Sequence, residues 1–458
     1  MFVGNCLWLL YRACPVWVVV SFGLTFFMPS WSLHISKYSI RMNWVEAVAD
    51  AQSSRKVESI LTLKLAIEIA LAGNPGLEEI KARAEAMATI PSQAGSMPDP
   101  TVSVGLLNVP TSNFNLHSED MTMLEMGVSQ TIPFPGKLTL REKIAEQEAL
   151  AATDSVDEAR LLLVRDVKQS WWRLFYYDRA LNLLDETERV FQQLIDTAQA
   201  KYQVGKGAQQ DVLLAQLELS KLKKDKLELM SLRNAQNARI NALLDRGPEI
   251  LLKIPSETEF KLPDFVESNL QVKALEVRPL FAQHQKMLDA AQTKVNLAKQ
   301  DFYPDFTVGG GYAFRQNTPT GQSRSDFASV QLSMNVPIYA NRKQAKAVDQ
   351  RQSELLQEQY SLKDEHHKIQ TEIAAKAVDY QQTKEKLLLL EHEIIPQAQQ
   401  TVASLLAAYS VGQSNFTDLL RTQLSLFQYQ AQYWQALSDT QQLLAELSAA
   451  IGEELSHD

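Results

Sequence analysis

Apolar residues recur along the chain in two different periods. Between residues 136 and 202 neither Pro nor Gly occurs after the first position, and apolar side chains return every seven residues. Val167, Leu174, Leu181, Ile195 and Tyr202 occupy one seam position, and Leu163, Tyr177, Leu184, Phe191 and Ala198 the other. Such a heptad stripe predicts a long helix packed lengthwise against others. At a rise of ~1.5 Å per residue it would reach about 100 Å. Ser170 and Glu188 interrupt the stripe. Leu388, Ile395, Val402 and Tyr409, with Ala398 and Leu405, repeat the register later in the chain, where Pro396 predicts a kink because it lacks a backbone donor. The other period is two. Val102, Val104 and Leu106 alternate with polar or glycine positions, as do Leu124, Met126, Val128 and Ile132, and the same pattern returns over 306–314 and 327–338. These segments predict two strand pairs, joined by polar loops at 108–123 and 315–326.

The two periods belong to a duplicated chain. The segment from Tyr202 through Val204, Gly205 and Asp211 to Leu219 matches, 207 residues later, the segment from Tyr409 through Val411, Gly412 and Asp418 to Leu426. Pro98-Asp99 matches Pro304-Asp305, Pro133 matches Pro337, and Asn74-Pro75 matches Arg278-Pro279, all at spacings of 204 to 206. Four landmarks in order at nearly one offset imply two copies of a unit of about 190 residues. The predicted organisation is a signal and N-terminal extension over 1–51 and a first repeat over 52–248. That repeat holds a helix, a hairpin at 101–132, a long helix at 136–202 and a helix at 208–245. A linker at 249–272 follows, then a second repeat over 273–452, with a hairpin at 305–338 and long helices at 340–409 and 415–451, and a tail at 453–458.

Composition sharpens this picture. Gly and Pro number 17 each in 458 residues, too few for a chain rich in turns. The net charge of −9 and the absence of a basic run argue against nucleic acid as a partner. Cys6 and Cys14 are the two cysteines, which excludes a disulfide framework or a cysteine-based metal site in the body of the chain. Arg12 precedes a 14-residue apolar run at 15–28, shorter than the ~20 residues a membrane helix needs, which reads as a secretory signal cleaved after Ser32 or Ala51. An exported chain with alternating segments of about ten residues fits transmembrane β-strands. Four strands cannot close in lipid, where unpaired backbone groups cost several kcal/mol each, so subunits must share a barrel. Two chains supply eight strands and three supply twelve, and a polar-lined duct needs the larger count.

On these motifs the chain resembles the TolC-type outer membrane efflux proteins over about residues 60–452. The residues that carry the likeness are 61–75, ending in Asn74-Pro75, and the twice-written turn Tyr-x-Val-Gly-x5-Asp-(Val/Leu)-Leu-x2-Gln-Leu. Asp99-Pro100, Asn108-Val109-Pro110 and the stretch from Gln130 to Lys137 look closer to the heavy-metal (Czc/Cus-like) branch. The resemblance implies an α+β membrane protein. Long antiparallel helices would form a shared α-helical barrel, and four strands per chain would enter a 12-stranded transmembrane β-barrel in a homotrimer. It implies an outer-membrane location among lipid with a long periplasmic extension, and a passive exit duct for heavy-metal cations. A periplasmic adaptor (membrane fusion) protein and an inner-membrane pump of the RND type would be its partners.

By the same resemblance Val204-Gly205 and Val411-Gly412 match the periplasmic tip that meets the adaptor. Tyr409, Asp211 and Asp418 match gate positions there. Ser414 stands where an Arg can occur and Arg421 where a second Asp can occur, so a closed tip with ionic links rearranged around Arg421 is expected. A plainer reading makes Asp211 and Asp418 helix N-terminal acids favoured by the helix dipole.

No catalytic, cofactor or metal constellation is expected, and the chain is not read as an enzyme. His392-Glu393 lacks the second His of a zinc-protease motif, having Pro396 in its place. His366 and His367 splay apart on a helix toward solvent, Gly309–Gly311 lies within a strand, and Met121, Met123 and Met126 fall at a strand edge. The Trp171-Trp172 and Phe175-Tyr176-Tyr177 clusters are expected between helices. Two other readings remain: a drug, small-molecule or protein-secretion duct of the same family, and a non-pore periplasmic coiled-coil structural protein.

Overall fold

A computed structural model describes residues 60–455, so the signal and its cleavage points lie outside the described residues. Three short helices come first among the described residues: α1 (Leu63–Gly73), α2 (Pro75–Ala88) and α3 (Ile90–Gly95). The Thr62 hydroxyl accepts from the Leu65 N–H to cap α1, and the Asn74 side chain accepts from the Leu77 N–H to cap α2, whose first residue is Pro75. Strands β1 (Thr101–Leu107) and β2 (Met123–Ile132) lead into α4 (Lys137–Gln203), which is 67 residues long, and then α5 (Gln209–Leu243). The second half repeats the order with α6 (Glu267–Val277), α7 (Pro279–Gln300), β3 (Phe306–Arg315), β4 (Phe327–Met334), α8 (Gln344–Leu389), α9 (Ile395–Ser410) and α10 (Phe416–Ile451). Among the described residues no helix is long and apolar enough to cross a membrane.

Each half is tied off by the residue before its helix-opening proline. The Asn74 amide donates to the Leu243 carbonyl at 3.0 Å, and the Arg278 guanidinium donates to the Ala450 carbonyl at 3.3 Å. Both acceptors lie among the last carbonyls of a long helix, which have no partner within that helix.

Two details differ from the sequence expectation. Helix α6 begins inside the stretch expected as linker, and what precedes it is a strap held by side chains rather than a free connection. Asn237 and Asn241 both donate to the Ile250 carbonyl at 2.7 Å, and Arg233 donates to that of Leu252 at 2.8 Å. The Tyr380 hydroxyl donates to the Pro263 carbonyl at 2.9 Å, and Gln441 to that of Lys261 at 2.8 Å. At Pro396 the chain makes a π turn over Leu390–Ile394 between α8 and α9. Pro396 has no N–H and its ring crowds the carbonyl four residues back. The ladder accordingly slips by one, and the Ile395 N–H bonds to the Leu390 carbonyl.

The seam of α4 is buried at Leu163, Val167, Leu174, Leu184, Phe191, Ile195 and Ala198, but Leu181 and Tyr177 are half-buried and Tyr202 is 46% exposed. A strict seven-residue stripe drifts by about 20° per heptad on a straight helix, so no single stripe stays inside over this length. Trp171, Trp172 and Phe175 of α4 are buried against α10 and the α1 region, with the Trp171 indole donating to the Leu61 carbonyl at 2.9 Å. His367 is exposed, while His366 is half-buried edge-on against Phe281 at 4.6 Å, so the expected solvent exposure holds for one of the pair.

The strands form one four-stranded antiparallel sheet in the order β1-β2-β3-β4. The expected hairpins are present, and β2 also pairs with β3 from Met123↔Arg315 to Ile132↔Phe306, which welds the two halves together. Below the sheet, Lys137 is buried and donates to Asp305 at 3.0 Å and to the Tyr303 carbonyl at 3.0 Å. The Phe134 N–H donates to Asp305 at 2.8 Å, and the Phe134 and Tyr303 rings stack at 4.5 Å. This joint explains why Pro304-Asp305 and Gly136-Lys137 stand out in the sequence.

Candidate functional site: a two-faced sheet and a twin-turn tip

Strand alternation sorts the sheet into two unlike faces. One face carries Val102, Val104 and Leu106 against Val128, Met126 and Leu124. It continues through Val308, Tyr312 and Phe314 to Val330 and Leu332. These side chains are exposed, Val330 to 89% and Val102 to 74%. The opposite face carries Ser103, Gly105, Gly127, Ser129, Ser329 and Gln331. Every residue of β1 and of β4 is exposed, and the two strands form the edges of the sheet. Met121 and Met126 are exposed and Met123 is buried, so the three methionines do not converge.

Between the outer strand ends, two loops clasp each other. The Arg324 guanidinium pairs with Asp120 and donates to the His117 carbonyl at 3.3 Å, and the Arg315 guanidinium reaches the Asp120 carbonyl.

At the far end of α4 the chain reverses twice. Gly205 has φ +73° and Gly412 has φ +79°, the left-handed conformation that glycine adopts without a Cβ clash. In each turn the glycine N–H returns to a tyrosine carbonyl, Gly205 to Tyr202 at 3.0 Å and Gly412 to Tyr409 at 3.1 Å. The next N–H reaches five residues back, Lys206 to Lys201 and Gln413 to Ala408, both at 2.9 Å, which closes a Schellman cap. Val204 and Val411 project outward, 68% and 70% exposed. Asp211 and Asp418 each lie in the first turn of their helix, α5 and α10, where the dipole favours a carboxylate, and neither helix has a side-chain cap bond.

The turns match in backbone and differ in packing. Tyr202 is exposed, but its counterpart Tyr409 is 6% exposed, against Phe416 at 5.4 Å and beside Leu419 and Ala198. The Lys201 ammonium lies 3.8 Å from the Tyr409 ring centre and donates to the Tyr409 carbonyl, joining one turn to the other. Arg421 is exposed and, among the described residues of one chain, makes no ion pair with Asp211 or Asp418. Sequence reasoning passed over Lys201. Its signal was a basic residue in the last turn of α4, where the second copy has Ala408.

Burial, with the nearby Asp211 charge, pushes the Tyr409 phenol above its ordinary value. The neutral phenol is thus the form the packed tip prefers. The resulting stability is complete below pH ~10 and is lost as pH rises through the raised value. Limited proteolysis at Lys201 and Lys206 should accelerate above pH ~10 in the wild type. The acceleration should be absent in Tyr409→Phe, and an identical pH profile in both proteins would refute the assignment.

Among the described residues no group of three or more His, Cys, Asp or Glu is placed to hold a metal. The sequence model of the outer membrane efflux protein family matches residues 66–246 and again 270–453. The chain belongs to that family. It is therefore an outer-membrane efflux protein with a sheet at one end and long helices extending from it. A Haemophilus influenzae relative, an uncharacterized protein, is 22% identical over 305 residues, covering 66% of this chain and 65% of that one. The chain thus spans just under two thirds of that relative. The cobalt-zinc-cadmium resistance protein CzcC of Cupriavidus metallidurans is 22% identical over 405 residues, covering 87% of this chain and 91% of its own length. A solved structure of CusC, from a study of its folding and transmembrane channel formation, superposes with a TM-score of 0.72 at 18% identity, covering 85% of this chain and 92% of that one.

Proposed function

We propose that three copies of this chain form a passive outer-membrane duct for heavy-metal cations. The observation that supports this reading is the sheet itself, with one face apolar and exposed and two edge strands whose outer sides are unpaired among the described residues. Lipid tolerates no open edge, so β1 of one subunit must meet β4 of the next, and three sheets give twelve strands. The long helices would then stand side by side as a periplasmic tunnel. Val204, Gly205, Val411 and Gly412 lie at its tip, where an adaptor would dock. Tyr409, Asp211, Asp418 and Arg421 would act there as the gate, with Lys201 latching Tyr409 from the neighbouring turn. An inner-membrane pump of the RND type would supply the energy. The likeness to CzcC, together with the Asn108-Val109-Pro110 and Gln130–Lys137 motifs, supports metal cations as the cargo.

Deleting the gene should raise sensitivity to cobalt, zinc, cadmium, copper or silver, and plasmid-borne wild type should restore growth. Sensitivity to drugs without sensitivity to any metal would refute the metal reading and favour the drug duct. A monomer that fractionates away from the outer membrane, with no trimer lost on heating, would refute the duct.

A further inference from the structure

The four strands contain two charged residues, Glu125 and Arg315, and alternation puts both on the polar face. Arg315 is committed to the rim. Its guanidinium donates to the Ser325 carbonyl at 3.2 Å and lies 4.6 Å from the Phe327 ring centre, and its own N–H donates to Asp326 at 2.9 Å. Arg324 on the same rim is paired with Asp120. Glu125 differs. Among the described residues it makes no ion pair, and it stands between Gly105 on β1 and Ala313 on β3, with Arg315 two residues along β3 on the same face.

The wall makes room for this carboxylate. A Cβ added at Gly311 would lie 2.9 Å from a Glu125 carboxylate oxygen and 2.9 Å from the Ser329 hydroxyl. Glu125 therefore reaches across bare backbone at Gly311. Glycine inside a strand weakens it unless something approaches closely, and here the approaching group is the glutamate side chain. A Cβ at Gly311 would push the end of this flexible side chain aside, so the bare backbone there leaves the carboxylate room.

We propose that Glu125 makes the bore of the β-barrel prefer cations over anions. The inference rests on the trimeric duct, in which the polar face lines the bore and Glu125 recurs three times at one level. Arg315 stands on the same face two residues along β3 from Ala313, but its charge acts on the Asp326 carboxylate at the rim, so the three Glu125 carboxylates bias the field, and a bore walled by low-dielectric protein concentrates that field on passing ions. The effect is a bias in charge selectivity, exerted without a binding site.

The test is the reversal potential of the purified full-length protein in planar bilayers under a potassium chloride gradient. Wild type, Glu125→Gln and Glu125→Lys are compared, all with the tip residues unaltered. Glu125→Gln keeps the size and polarity of the side chain on a wet face. The potassium-to-chloride permeability ratio should fall about two-fold in Glu125→Gln and further in Glu125→Lys. Gly311→Ala, which retains the charge but moves it, should shift the ratio by less than Glu125→Gln. Equal reversal potentials for wild type and both Glu125 variants, at unchanged unit conductance, would overturn the role of Glu125 and leave the duct standing. Absence of any unit conductance both from the wild type and from Lys201→Ala, which removes the latch on Tyr409, would overturn the duct reading and this one with it.

Discussion

Arg278→Ala is expected to destabilise the fold by about 3–5 kcal/mol, the cost of leaving one buried charge without its partner. Arg278 is 8% exposed, and its guanidinium meets the Glu158 carboxylate at 2.8 Å while also holding the Ala450 carbonyl. Truncation would strand Glu158, itself 8% exposed, between α4 and the opening of the second half. Thermal or urea unfolding of the detergent-solubilised protein, followed by circular dichroism, would measure the loss. The paired replacement Arg278→Met with Glu158→Met should recover most of it, since apolar groups of similar volume need no compensation. If the double variant is as unstable as the single one, packing around Ala450 carries the effect and the ion pair does not.

Val330→Arg should cost about 2–4 kcal/mol if this side chain faces hydrocarbon, whereas Gln331→Arg, one residue on and on the opposite face, should cost little. Val330 is 89% exposed in the chain and lies opposite Gly310, in the middle of the β3–β4 pairing. The readout is the fraction of protein recovered from outer membranes as a heat-sensitive oligomer. Equal recovery of both variants would mean that the apolar face is not turned to lipid. The reversed order would mean that the two faces have been exchanged.

The sheet was legible in the sequence because alternation with period two is a local signal, and each of the four strands contains it. The helices were legible from the scarcity of Gly and Pro and from the heptads. Helix α6 escaped because its eleven residues, Glu267–Val277, form a short surface helix whose two buried residues are Leu270 and Ala274. A kink was expected at Pro396, and the structure has instead a π turn over Leu390–Ile394, whose form depends on how the helix ladder slips under packing. The strap at 250–266 could not be anticipated, because its bonds come from Asn237 on the helix before it and from Tyr380 and Gln441 far along the chain, none with a spacing signature.

At the tip the division is similar. The two Val-Gly turns follow from sequence alone, since a left-handed position after a helix favours glycine and the motif is written twice. The unequal fates of Tyr202 and Tyr409 do not follow, because both sit in the same local motif.

What the sequence determined by itself is thus the repeat, read by matching its two halves, and everything governed by neighbours within about a turn or a strand: the element types, the glycine reversals and the alternation of the strands. Tertiary structure alone decided the pairing of β2 with β3, the burial of Arg278 with Glu158, the contact of Lys201 with Tyr409, and the room Gly311 leaves for Glu125. Each of these joins residues far apart in the chain. Their energies depend on burial and distance, and neither quantity is encoded in local spacing.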